Sequence, residues 1–118
     1  MKAKDRDKIV DQFINYLLTF IIKPENLKTA VENNLDLTTL LFNHYHLHSN
    51  IIFPLFKFVA RAYWDKIEEY LCDVPKIYRI LSQNPDNIQI LERTETKKYL
   101  NEQITKLYQT LYILVWLT

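Results

Sequence analysis

Four prolines, Pro24, Pro54, Pro75 and Pro85, punctuate the chain, and between them apolar residues recur at helical spacing. The pattern predicts an all-α fold of five or six helices. The first runs from about Asp5 to Ile22, with Ile9, Phe13, Tyr16 and Phe20 on one stripe and Val10, Ile14, Leu17 and Ile21 on the next. So wide an apolar face implies more than one neighbour. Pro24 opens a short second helix through Leu27, Ala30 and Val31, stopped at Asn33-Asn34, because asparagine tolerates the left-handed conformation that ends helices. Asp36 caps a third that carries Leu37, Leu40, Leu41 and His44 inward and breaks at Ser49-Asn50. Pro54 begins a fourth, reaching about Leu71, that buries Phe56, Val59, Ala60, Tyr63, Trp64, Ile67 and Leu71 and is expected to be the central helix. Asp73 starts a short fifth through Ile77, Ile80 and Leu81, before the turn Asn84-Pro-Asp-Asn87. Ile88–Leu91 fits an extended segment or one helical turn. Thr94 or Thr96 then caps a long last helix whose stripe of Leu100, Ile104, Leu107, Leu111 and Leu114 calls for a helical partner.

Composition narrows this picture. A chain of 118 residues without repeat or linker is expected to form one compact domain, 1–118. The absence of glycine argues against a β-rich fold or a phosphate-cradling loop, both of which favour a residue free to take positive φ. A net charge of +1 leaves no general basic field, so any nucleic-acid contact must be local. The single cysteine, Cys72, excludes an internal disulfide and a thiolate metal site, which favours a reducing, cytoplasmic compartment. No apolar run is long enough to span a membrane, and no cofactor or small-molecule substrate is indicated.

Candidate chemistry is sparse. His44 and His48 would stand one turn apart on a helix and could hold a metal, with His46 on the other side, but no supporting ligand lies at a useful spacing. They read instead as helix-end residues that complement the carbonyl dipoles. Asp65, Glu68, Glu69 and Asp73 read as a solvated face, and Ser49, Ser82 and Cys72 lack a nucleophile motif. The chain is thus expected not to be an enzyme. The segment Ile51–Trp64 is different: its fourteen residues hold only two charges, Lys57 and Arg61, both basic, at i and i+4 and flanked by aromatics. The pair suits a phosphate backbone, or it snorkels to water or pairs with Asp65 and Glu68. Lys97, Lys98 and Lys106 are diluted by Glu95 and Glu102 and read as a solvated face. Eight tyrosines and two tryptophans exceed what one small core encloses, which places some at an interface. The apolar stretch Tyr112–Thr118 must dock on its own domain or a neighbour.

In its size, its glycine-free helical pattern, the aromatic-flanked Lys57/Arg61 pair and the helix over Leu100–Trp116, the chain resembles the small helical subunits of CRISPR surveillance complexes, which serve antiviral defence. Some of these are similar to the C-terminal helical portion of the large subunit, an origin that a charged start at Met1–Lys8 would suit. The resemblance implies a non-catalytic subunit that packs on other subunits, including copies of itself, and steadies guide RNA or target DNA through Lys57 and Arg61. The alternative, of another class, is a helical protein–protein interaction module, an immunity or regulatory factor without nucleic-acid contact. A metal-dependent enzyme built on the histidines ranks third.

Overall fold

The computed structural model describes residues 3–118; Met1 and Lys2, at the start of the charged Met1–Lys8 segment, lie outside the described residues. The described chain is all helical: α1 Ala3–Ile22, α2 Pro24–Glu32, α3 Leu37–His44, α4 Ile52–Ala62, α5 Trp64–Leu71, α6 Val74–Leu81, α7 Asn87–Leu91 and α8 Thr94–Trp116. These eight helices replace the five or six expected for two reasons. The segment expected to be one helix from Pro54 to Leu71 begins two residues before the proline and divides at Tyr63, where the backbone opens to φ −122°, ψ 23°. Ile88–Leu91, ambiguous in the pattern, lies within the short α7.

Neither glycine nor proline marks the break at Tyr63. On its two sides α4 packs on α8 and on Phe13 of α1, and α5 packs on α1, α6 and α8. Tyr63 donates its amide to Val59 O (3.2 Å) and accepts from Lys66 and Ile67, so it closes α4 and opens α5. Several other boundaries follow local chemistry. Pro24 stands in the first turn of α2. Asp36 accepts from the Thr39 amide at 3.0 Å, and Asp73 from that of Lys76 at 3.2 Å. The expected threonine cap on α8 is not formed: Arg93 holds that position, Thr94 is already helical and Thr96 is buried.

The chain also shows how helices end without glycine. Asn34 (φ 48°) and His46 (φ 56°) take the left-handed conformation after α2 and α3. In each case the next amide bonds back into the helix, Leu35 N to Ala30 O and Leu47 N to Phe42 O, both at 2.9 Å. α3 therefore stops at His44, short of Ser49.

One core joins these elements. On α1 the stripe Val10, Ile14, Leu17 and Ile21, with Leu18, is buried; the stripe from Ile9 to Phe20 forms the rim, and Tyr16 is exposed. The helix the others pack around is α8, which contacts α2, α3, α4, α5 and α7, and not the segment from Pro54 to Leu71. Its inner stripe is Leu100, Ile104, Leu107, Leu111 and Val115; Leu114 is only partly covered. Asn87 is fully buried, and its amide donates to Ile22 O (2.6 Å) and Leu81 O (2.7 Å), tying α7 to the ends of α1 and α6. No helix among the described residues is long and apolar enough to cross a membrane.

Candidate interaction face

α4 meets the core through Ala60, which is buried, and through half-buried Phe53 and Phe56. At about 100° per residue, Lys57 and Arg61 fall on the side that faces α8, whereas Ile51, Leu55, Phe58 and Ala62 fall opposite the core. Arg61 Nε donates to Val115 O at 2.7 Å, its guanidinium lies 5.5 Å from the Trp116 ring centroid, and Lys57 Nζ donates to Thr118 O at 2.7 Å. Both basic residues thus serve the carbonyl end of α8, whose last turns leave such oxygens without helical partners and carry a partial negative charge. This arrangement was not among those expected from the sequence. Asp65 pairs instead with Arg6, and Glu68 accepts from Tyr108 Oη at 2.6 Å.

The outer stripe of α4 is bare. Ile51 and Phe58 are each 75 % exposed and Leu55 64 %. On one flank, Phe13 and Tyr16 of α1, with Tyr45 and Leu47, form an apolar groove with Ile52, Leu55, Phe56 and Val59. On the other, beyond Arg61, the exposed end of α8 presents Tyr112, Ile113, Trp116 and Leu117. Trp64 anchors that flank, its ring 6.0 Å from Tyr108, 6.1 Å from Tyr112 and 6.3 Å from Trp116. Among the described residues ten large hydrophobic side chains stand exposed, and eight of them belong to α4, its N-cap Ile51 or the end of α8; Tyr16 and Ile88 are the others. Apolar residues left exposed together in this way mark interaction sites.

The remaining candidates do not converge. With α3 ended at His44, the one-turn relation of His44 to His48 is lost. His44 is exposed and packs on Phe20 and Tyr45, His46 forms the left-handed turn, and His48 Nε2 lies 3.1 Å from Asn43 Oδ1. Among the described residues no three of His, Cys, Asp and Glu are grouped to hold a metal ion. Ser49 Oγ accepts from the amides of Ile51 and Ile52 and so opens α4, and Ser82 bonds back to Tyr78 O. The four carboxylates of the charged face disperse: Glu69 lies 3.4 Å from Lys66, and Asp73 caps α6, while Asp65 and Glu68 are held by Arg6 and Tyr108. Lys97 and Lys98 are exposed, and Lys106 pairs with Asp36.

What sequence reasoning missed is the orientation of the Ile51–Phe58 stretch. Its signal was present: a helix apolar on every side but packed on one must leave apolar residues outside. Comparison with protein-family models, with curated proteins and with solved structures finds no match.

Proposed function

We propose that this protein is a non-catalytic helical subunit that docks on other proteins through α4 and the end of α8. The observation that carries the reading is the bare stripe Ile51, Leu55 and Phe58 on α4, with Ile113 and Leu117 also exposed at the end of α8. Aliphatic groups gain by leaving water for another apolar surface, at roughly 25 cal/mol per Å². A nucleic acid offers Ile51, Leu55, Ile113 and Leu117 little, since its bases stack on aromatic rings and its phosphates seek cations. Lys57 and Arg61, the candidates for that second role, each have a donor engaged on α8. Protein binding is therefore favoured over the guide-RNA or target-DNA contact that the CRISPR resemblance implies.

The test is size-exclusion chromatography of extracts from cells that make the protein at its natural level. Wild type is expected in a species far heavier than two 14.3 kDa chains, unchanged by nuclease. Phe58→Asp, at an exposed site, is expected to keep its helical circular dichroism yet leave that species. Wild type no larger than two chains would sink the reading. Collapse of the heavy species on nuclease treatment would replace it with the nucleic-acid role.

A further inference from the structure

We propose that the outer stripe of α4 is covered by the same stripe of a second copy, the two helices running antiparallel about a two-fold axis. This rests on the reading of α4 as a docking face and gives its outer stripe to a second copy, leaving the groove with α1 and the end of α8 to the other subunits. A two-fold interface must be self-complementary, each residue meeting its counterpart in the reversed chain. Ile51, Leu55, Phe58 and Ala62 are spaced by four, three and four residues, an order that reads the same in both directions. Laid against its reversed copy about the midpoint between Phe56 and Lys57, the stripe sets Leu55 on Phe58 and bulky Ile51 on small Ala62. Large meets small at the ends, which lets two helices close to the usual 8–10 Å.

Charge permits the contact. No ionisable or hydrogen-bonding side chain lies on the stripe, so a second copy brings no polar group to be stranded. The two cations of α4 are drawn sideways onto its own α8 by the Val115 and Thr118 oxygens, away from the join. The size is adequate but modest. With large side chains carrying about 150–250 Å² each when fully exposed, Ile51, Leu55 and Phe58 offer on the order of 400 Å² per copy, against about 800 Å² per partner in a standard interface. The geometry therefore points to a reversible dimer that dilution dissociates.

Sedimentation equilibrium of the purified protein over about 1 µM to 1 mM, the range where modest interfaces come apart, tests this. The mass is expected to rise from 14.3 kDa toward twice that value. Leu55→Asp and Phe58→Lys, both at exposed positions, are each expected to remain monomeric. Mixing the two variants is expected to restore a heterodimer, because the antiparallel register sets Asp on Lys at one end and leaves the native Phe58–Leu55 contact at the other. Ile88→Asp, on the exposed part of α7, should dimerise like wild type. A wild type that dimerises but whose variants do not recombine would overturn the register. A monomer at every concentration would overturn the dimer. If Phe58→Asp still leaves the heavy cellular species, the docking face survives with another occupant; if no such species exists, both readings fall.

Discussion

His46 does the work of a glycine in a chain that has none. A side chain with a Cβ in the left-handed region crowds the following carbonyl, at a cost of about 1–2 kcal/mol, and asparagine relieves that strain better than histidine. His46→Gly is therefore expected to stabilise the protein by about 1 kcal/mol and Asn34→Gly by less than about half of that, after the entropy glycine loses on folding. Urea unfolding of the two variants beside wild type checks this; equal gains, or a loss at His46, would show that the imidazole does more than turn the chain. Asn34 was legible as a helix stop because its type announces the role. His46 was not, since three histidines at alternate positions read equally well as a helical cluster.

The helices themselves were legible where polar residues sit at their starts. Asp36 and Asp73 cap as expected, and Pro24 fits its first turn. The break at Tyr63 was hidden because neither glycine nor proline marks it, and the reach of α8 because it depends on which neighbours surround a helix rather than on its own pattern. The α3 cap gives a test that separates two contributions. The Lys106 ammonium bonded to Asp36 holds its carboxyl below the ordinary value of 3.8, opposed by partial burial and aided by the Thr39 amide. A depressed carboxyl stabilises the fold above its unfolded pKa, and that stability is lost as pH falls through the folded value. Asp36→Ala should cost about 0.5–2 kcal/mol near neutral pH. Asp36→Asn keeps an oxygen for Thr39 but gives up Lys106, an exposed pair worth at most about 1 kcal/mol. It should cost less, and its stability should fall less steeply from pH 5 to 2 in urea titrations. Equal costs for the two variants would mean that the cap contributes nothing beyond charge.

At the scale of the molecule, α8 carries one phenol bonded to a neighbouring helix, Tyr108 on Glu68, and one that is buried, Tyr99. The hydrogen bond to Glu68 pushes Tyr108 up to about 12, with burial and the carboxylate charge adding to it. Burial, helped by the Asp36 charge, does the same to Tyr99. Both phenols hold their protons more tightly folded than unfolded, so their stabilisation is complete below the ordinary value of 10.0 and disappears as pH climbs toward 12. Thermal melts are expected to show a steep alkaline loss over that window, and Tyr108→Phe should flatten part of it. A variant whose alkaline limb matches wild type would exclude the Glu68 bond as a cause. The all-helical class was open to the eye from periodicity and the missing glycines. The eightfold division and the bare outer stripe were not, because a sequence shows how apolar a helix is before it shows how much of that surface its own fold can cover.

The central place of α8 also sets an order in time. A ribosome delivers α2, α3, α4, α5 and α7 before the helix they pack around. Until residues near Trp116 leave the exit tunnel, the inner surfaces of those helices have no lid, and the carbonyls that engage Lys57 and Arg61 do not yet exist. The helices made earlier can pack on α1, but completion of the fold is expected only once α8 has emerged.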